Sequence, residues 1–254
     1  MNYSVSTCSF VKLKVKRLLN LPEDIGVEIF YEYGSTDYWN EFLTRFQATH
    51  TGRISIHAPF AFYDFSAPGD DQELFDHFKK VFKLYHRFHS EFYVLHAFNN
   101  IDLEAGGKHA DEYRKRTFER IAKFDEICAA EGVLLAVENT CGNPHNLFTQ
   151  EQWLDMFAQL PKLHALIDVG HALVAGMDVA RLQRELGSRI VGYHLHNNDG
   201  MHDAHNRLRE GYMDWNAFAK NAKLYTPNAT GVIEYLIEDR SEACVEDIRY
   251  LASL

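Results

Sequence analysis

Short apolar segments that alternate with amphipathic segments constrain the fold of this chain more than any other feature of its sequence. Between the apolar segments, apolar residues return at three- and four-residue intervals, as in residues 71–90 and 111–131, and this is the period of a helix with one buried face. Strands that alternate with helices pair in parallel through crossover connections. The predicted strands are residues 3–10, 25–30, 54–58, 92–97, 133–138, 165–169, 190–196 and 231–236.

Eight such units in 254 residues predict an α/β protein of one architecture, the closed (β/α)8 TIM barrel, which needs about 250 residues. No Pro- or Ser-rich linker and no low-complexity tract divides the chain, so residues 1–254 are predicted to form a single barrel domain. Hydrophobic residues make up 46% and charged residues 24% of the sequence. This is ordinary globular usage and excludes the disordered and fibrous classes.

Net charge and cysteine spacing limit the partners and the compartment. Lys and Arg number 26 and Asp and Glu number 36, and the resulting formal charge of −10 disfavours broad binding to nucleic acid or anionic membranes. The four cysteines form no Cys-x-x-Cys pair, which argues against a zinc ribbon or a disulfide scaffold. Without a signal-peptide pattern or a run of about 18 apolar residues, we expect a reduced, cytoplasmic protein with no membrane partner.

Histidine is abundant, with 14 copies, and several copies follow predicted strands together with carboxylates. All strands of a parallel barrel end on one face, where the active sites of such barrels lie. Crowded carboxylates repel one another and lose hydration unless a cation lies among them. Since imidazoles and carboxylates are ligands of zinc, manganese and related ions, the pattern predicts a divalent-metal site. Its polar residues are Glu28, His57, His96, Glu138, Asp168, His171, His194, His196 and Glu234.

A segment after the seventh strand adds two further candidate ligands. Asp203 and His205 lie two residues apart, and a loop folded back over the barrel mouth would add them to the metal site. The alternative, a polar surface loop with its own Asx turn, is equally typical of this local pattern. Other chemistry finds little support, since the sequence contains no nucleophile-elbow, phosphate-loop or dinucleotide-binding glycine motif.

With these residues the sequence resembles the xylose isomerase-like TIM-barrel superfamily, which contains sugar isomerases and epimerases together with endonuclease IV. The resemblance covers about residues 50–236. Its motifs are Ile56-His57-Ala58-Pro59, Glu138-Asn139-Thr140-x-Gly142, Asp168-x-x-His171, His194-Leu195-His196 and Glu234.

Similarity to the epimerase branch implies one divalent ion (Zn, Mn, Mg or Co) held by four residues, which are Glu138, Asp168, His196 and Glu234. His171 would then touch the substrate, and Glu138 and Glu234 would exchange a proton on its opposite faces. Two departures from that branch leave the substrate open: no matching arginine follows His196, and Pro144 stands where a second substrate-binding glutamate is expected.

Similarity to the endonuclease IV branch implies a three-zinc ligand set instead. The pattern D-x-H-x-x-L-x-E-G at residues 203–211 is the most specific match to that branch, whereas the region before residue 50 does not resemble its DNA-contacting opening. Whether His194 or His196 is the strand-seven ligand stays open. The implied ligands are His57, His96, Glu138, Asp168, His171, a strand-seven histidine, Asp203, His205 and Glu234.

Two hypotheses follow, and they differ in reaction class. The first is a divalent-metal-dependent isomerase or epimerase that moves a proton of a small sugar or sugar phosphate through an enediolate, with Glu138, Glu234 and His171 as catalytic residues. The second is a multinuclear-zinc phosphodiesterase that resembles endonuclease IV. One ion per chain favours the first and two or three favour the second, so one to three ions are expected. The acidic charge favours the first hypothesis, and the sequence leaves a homo-oligomer open.

Overall fold

Eight parallel strands form the centre of the structure, a computed structural model that describes residues 1–10, 12–59, 63–98, 109–141, 146–236 and 241–254. Each strand pairs with the next along the chain, and the last pairs with the first, so the sheet closes into a barrel. All eight predicted strands and the (β/α)8 barrel are therefore confirmed. The strands are β1 Asn2–Ser6, β2 Gly26–Phe30, β3 Ile54–His57, β4 Tyr93–His96, β5 Leu135–Glu138, β6 His164–Asp168, β7 Ile190–Leu195 and β8 Thr230–Ile233.

Helices connect the strands and bury one apolar face each, as Trp39, Phe42 and Phe46 do in the first of them. Within the described residues, none of these helices combines the length and the apolar composition that crossing a bilayer requires. The helices are α1 Thr36–Gln47, α2 Asp71–Lys79, α3 Phe82–Arg87, α4 Ala110–Ala130, α5 Gln150–Gln159, α6 Val169–Val174, α7 Val179–Leu186, α8 Trp215–Tyr225 and α9 Ser241–Ser253. Shorter 3₁₀ helices span Thr7–Ser9, Lys12–Asn20, Tyr31–Tyr33 and Gly187–Arg189.

Two predicted helices differ from the observed ones in local hydrogen bonding. The segment 71–90 forms two helices, α2 and α3, because the backbone at Lys80 and Val81 tightens to bonds with the third preceding residue. Likewise, the helix that the alternation of apolar and amphipathic segments predicts between β1 and β2 is a 3₁₀ helix over Lys12–Asn20.

The polar residues of the barrel mouth stand one layer above an apolar floor. Side chains alternate between the two faces of a strand, so residues two apart on one strand both point into the barrel. This apolar layer consists of Val94, Ala136 and Leu166, and Phe92 lies below it; all four side chains are fully buried. Because β4, β5 and β6 are neighbours, one imidazole and two carboxylates lie side by side above this layer. The floor residues and the mouth residues above them are Val94 and His96, Ala136 and Glu138, and Leu166 and Asp168.

Candidate metal centre

The carboxylate of Glu138 lies at the end of β5 among four imidazoles. Its Oε2 atom is 3.4 Å from His57 Nε2 and 3.3 Å from His96 Nε2. Its Oε1 atom is 3.1 Å from His171 Nδ1 and 3.4 Å from His194 Nδ1. Both oxygens are buried and neither makes a hydrogen bond of acceptable geometry within the described part of the chain. A buried carboxylate in that condition calls for a cation or another unseen partner.

The pKa shifts of the two buried acids Glu138 and Asp168 agree with a site that holds a cation. Burial raises the pKa of Glu138, but the imidazoles of His96, His194 and His171 outweigh it and hold that pKa well below its usual value. Asp168 behaves in the same way, because the imidazoles of His171 and His196 outweigh its burial and keep its pKa well below the ordinary one. Both acids are therefore ionised, which is the form that a metal ion requires.

His194 links the centre to Glu28, the middle residue of β2. Its Nε2 atom lies 2.8 Å from Glu28 Oε1, and Ser55 donates a hydrogen bond to the other oxygen of Glu28 at 2.8 Å. Since a carboxylate only accepts, Nε2 carries a proton and Nδ1 is the atom left for a metal. That Nδ1 is 3.2 Å from Glu234 Oε2 and 3.6 Å from Asp168 Oδ2, and it has no hydrogen-bond partner among the described residues.

His196 lies beside the same centre with different contacts. Its Nε2 atom is 3.0 Å from each oxygen of Asp168, and its ring stacks on His205 with centroids 3.8 Å apart. Gly170 makes this packing possible, since a Cβ there would stand 1.9 Å from the His196 ring. Of the two strand-seven histidines, His194 thus faces four carboxylates, on β2, β5 and β6 and directly after β8, whereas His196 mainly contacts Asp168.

A third group of potential ligands lies toward the outside of the mouth. Asp203 Oδ2 is 3.2 Å from His171 Nε2 and 3.0 Å from His205 Nε2. The Nδ1 atom of His205 faces the carbonyl oxygen of Glu234 at 3.0 Å. The Sγ atom of Cys141 lies within 4.8 Å of ligand atoms of His171 and Asp203. Burial raises the pKa of the Cys141 thiol to about 11.

Backbone contacts at the ends of β5 and β6 set the position of these ligands. The side chain of Asn139 accepts a hydrogen bond from the backbone nitrogen of Asp168 at 2.8 Å and donates one to its carbonyl oxygen at 2.9 Å. Asp168 in turn caps α6, because its Oδ1 accepts from the backbone nitrogen of His171 at 2.6 Å. The three-residue spacing of Asp168 and His171 is therefore the spacing of a helix N-cap.

The segment 196–214, which joins β7 to α8, folds back over the mouth. Asn197 and Asn206 form a two-way backbone bridge at 3.0 and 2.8 Å. His205 has a φ of 45°, a left-handed conformation that costs energy for a residue other than glycine. Gly211 approaches so closely that a Cβ there would stand 2.4 Å from Asn197 Oδ1. The folded-back loop, rather than a separate surface turn, is the observed arrangement.

All ten metal candidates from the sequence converge at this mouth, and three of them are also the proposed catalytic residues. Glu28, which the sequence places among the polar strand-end residues but not among the ligands, joins them, as does Cys141, which the sequence did not assign to the site. A charged residue inside the apolar run of β2 was the available indication for Glu28, and Cys141 follows Glu138 by three residues. Gly142 and Pro144 of the sequence motifs lie outside the described residues. The converging candidates are His57, His96, Glu138, Asp168, His171, His194, His196, Asp203, His205 and Glu234.

The donor set fits divalent metal ions. Within the described residues, five groups have ligand atoms no more than 4.8 Å apart. They are His57 with His96 and Glu138, His194 with Glu138 and Asp168, His194 with Glu28 and Glu234, His196 with His205 and Glu234, and His171 with Cys141 and Asp203. Imidazole nitrogens with carboxylate oxygens are typical of zinc, manganese and related ions, and the buried oxygens of Glu138 have no hydrogen-bond partner in the described residues.

Comparisons with known proteins agree with the fold. A family model described as a xylose isomerase-like TIM barrel matches residues 16–254. A solved D-tagatose 3-epimerase-like protein has 20% identity and a TM-score of 0.86, with 100% of this chain and 96% of that chain covered. A D-psicose 3-epimerase from Clostridium cellulolyticum H10 has 14% identity and a TM-score of 0.77, with 100% and 97% covered.

A third structure contains a metal. The IolI protein with a bound zinc atom has 16% identity and a TM-score of 0.73, and the match covers 100% of this chain and 96% of that one. No curated protein sequence matches the chain. At identities of 14–20%, the three structural matches show only that the barrel fold is shared. Membership of a family rests on the family model, which covers residues 16–254.

Proposed function

This chain belongs to the xylose isomerase-like TIM barrel family, and from that membership we propose that it is a divalent-metal-dependent isomerase or epimerase of a small sugar or sugar phosphate. The observation that carries the proposal is a pair of buried glutamates, Glu138 after β5 and Glu234 after β8, which both approach His194 Nδ1, at 3.4 and 3.2 Å. The epimerases of D-tagatose and D-psicose type that share the barrel favour a ketose as the substrate class.

Two positioned acids suit a reaction that moves a proton between the faces of one carbon. Glu138, ionised in the geometry described above, is the group that accepts the proton from carbon. Glu234 returns a proton from the other side, and Ser6 orients it by donating to its Oε1 at 3.3 Å. His171, whose Nδ1 atom lies 3.1 Å from Glu138 Oε1, would orient the base Glu138. Positioned acid–base groups of this kind contribute about 10²–10⁴-fold to a rate.

The metal would be held in the central group by Glu138, Asp168, His194 and Glu234. Bound there, it supplies Lewis acidity to the carbonyl and hydroxyl oxygens of the substrate. Glu28 supports this set by accepting the Nε2 proton of His194, which keeps the Nδ1 lone pair directed at the ion.

The test is exchange of substrate hydrogen with solvent deuterium, measured by mass spectrometry on a panel of ketoses and their phosphates. Glu138→Gln keeps the shape of the side chain and removes the base, so exchange is expected to fall by about 10²-fold or more. Glu246→Gln, the same change on the outer helix α9, is the control and should exchange normally. Metal content is measured in parallel. Undiminished exchange in a Glu138→Gln protein that retains its metal would defeat the proposal.

A multinuclear hydrolase of phosphate esters is the second candidate, because the groups around His57 and His96 and around Asp203 and His205 exceed what one ion uses. Neighbouring ions can share a hydroxide and stabilise the attacking and leaving oxygens of a phosphodiester. The same preparations are therefore assayed on an abasic-site duplex and on a simple phosphodiester. Cleavage with two or three ions per chain, and no solvent exchange with any ketose, would favour this candidate over the first.

A further inference from the structure

The thiol of Cys141 is placed differently from the other cysteines of the chain. Its Sγ atom lies with a nitrogen of His171 and an oxygen of Asp203 in a group whose members are at most 4.8 Å apart. Ligands of one tetrahedral zinc ion, each about 2.0–2.3 Å from it, are about 3.3–3.8 Å apart. Side-chain rotations that close the group by about 1 Å would bring all three onto one ion.

The contacts of His171 leave its Nε2 atom for this group. Its Nδ1 atom faces the carbonyl oxygen of Asn139 at 3.1 Å and carries a proton there, because a carbonyl only accepts. The Nε2 atom, 3.2 Å from Asp203 Oδ2, is therefore the atom left for an ion. Asp203 contacts both His171 and His205, at 3.2 and 3.0 Å. With Cys141 the outer group thus offers one sulfur, one imidazole and one carboxylate, and the imidazole of His205, 3.0 Å from Asp203 Oδ2, adds a fourth ligand of the kinds that tetrahedral zinc accepts.

We propose that Cys141 is a thiolate ligand of a metal ion held by His171, Asp203 and His205. This inference rests on the metal dependence of the proposed function, and it places a further ion, with a sulfur ligand, outside the central group. When the ion binds, the S–H bond breaks, the sulfur keeps the electron pair and donates it to the metal, and the proton leaves to solvent. A thiolate selects zinc or cobalt over magnesium and manganese, so this position prefers a softer ion than a site of oxygen and nitrogen alone.

The remaining cysteines provide the contrast. Cys128 and Cys244 are buried, and Cys8 Sγ lies 3.5 Å from the carbonyl oxygen of Tyr235. All four cysteines are free of disulfides, and the potential ligand groups found in the described residues include Cys141 alone among them. Cys8, which is also partly buried, is therefore a matched control.

Cobalt substitution tests the proposal directly, because a thiolate bound to Co²⁺ gives an intense sulfur-to-metal charge-transfer band in the near ultraviolet. The metal-free protein is titrated with Co²⁺, and bound cobalt is counted by elemental analysis. Wild-type and Cys8→Ser proteins should show the band, and Cys141→Ser should lose it while retaining the visible bands of cobalt at other ligands. Competition with a zinc chelator should give at least about tenfold weaker zinc binding at this position in Cys141→Ser.

A second measurement needs no substitution at Cys141. Zinc should protect this thiol of the wild-type protein from alkylation, as peptide mapping after iodoacetamide treatment would reveal. Full cobalt loading without the band, or a band that persists in Cys141→Ser, overturns the ligand assignment. Failure to bind any metal overturns both this inference and the proposed function. A cobalt–sulfur band in a protein that exchanges no ketose hydrogen defeats only the proposed function.

Discussion

At the scale of single residues, His171 and His205 have raised pKa values and carry a proton near neutral pH when no metal is bound. Burial lowers the pKa of His205, but Asp203 and Glu234 outweigh burial and raise it to about 9. Burial is outweighed in the same way at His171, mainly by Asp168 and Asp203, so its pKa also lies well above the ordinary value. A histidine whose pKa is raised on folding stabilises the folded protein. This contribution is complete at a pH below the pKa in the unfolded chain, about 6.5, and is lost as the pH rises through the pKa in the folded protein.

Zinc should therefore displace protons from the metal-free protein at pH 7. A metal binds neutral imidazole, so each protonated ligand has to release its proton as the ion enters. Zinc added to weakly buffered protein with a pH indicator should release at least about one proton per ion, and less above pH 9, where His205 is already neutral. Asp203→Asn removes a charge that raises the pKa of His205 and should reduce the release. No proton release at pH 7 would contradict this electrostatic account.

The choice between His194 and His196 as the metal ligand could not be predicted from the sequence. Both residues lie on one side of the seventh strand, so alternation predicts that both reach the mouth, as they do. What separates them is Glu28, which binds His194 Nε2 from a position 166 residues away in the chain. A contact between distant strands cannot be derived from the spacing within either strand.

At the scale of secondary-structure elements, α9 anchors the segment 196–214 that carries Asp203 and His205. The buried carboxylate of Asp247 accepts two hydrogen bonds from Arg207, at 2.9 Å each, and one from the Tyr235 hydroxyl at 2.8 Å. Arg207 is two residues from His205, whose φ of 45° needs support from its surroundings. The anchor therefore holds in place the strained segment that carries the proposed ligands Asp203 and His205.

Asp247→Asn should loosen this segment and weaken metal binding at its ligands. An amide has one acceptor oxygen for three donors and leaves the charge of Arg207 without a full partner, so unfolding should become easier by roughly 2–4 kcal/mol. Zinc affinity at Asp203 and His205 should fall about 10–100-fold, as for other losses of supporting contacts. Chemical denaturation and zinc competition measure the two effects.

Glu246→Gln is the matched control for that experiment. Glu246 contacts the same arginine at 2.9 Å, but it is 57% exposed, and exposed ion pairs contribute about 0–1 kcal/mol. Equal effects of the two substitutions, on stability and on zinc affinity, would show that Asp247 has no special anchoring role.

Element types and their starts follow largely from the sequence, whereas long connections do not. Asp178 and Asp214 cap α7 and α8 by accepting from the backbone nitrogens three residues on, and such a cap depends only on residues within one turn. The segment 203–211 was equally compatible with a surface turn. Its position over the mouth depends on Asn197 and on Asp247, which lie outside the segment.

At the scale of the whole molecule, barrel closure concentrates negative charge in one place. The chain has a net charge of −10, and the parallel strands bring Glu28, Glu138, Asp168 and Glu234, all buried, to the same end of the barrel. Each buried carboxylate costs free energy unless a cation or a hydrogen bond compensates it. Imidazolium groups provide this charge in the metal-free protein, and an ion bound to several strand ends would provide it more strongly.

Metal binding should therefore raise the thermal stability of the whole barrel. A ligand at a free concentration of about 100 times its Kd stabilises the folded state by about 2.7 kcal/mol, which for a protein of this size corresponds to an increase in Tm of roughly 5–10 °C. Calorimetry of metal-free protein with and without zinc measures the change. The control is Asp168→Asn, because asparagine still caps α6 but removes a carboxylate from the central ligands. A shift of the same size in Asp168→Asn would mean that zinc stabilises the protein elsewhere, and no shift in the wild type would argue against a site shared by several strands.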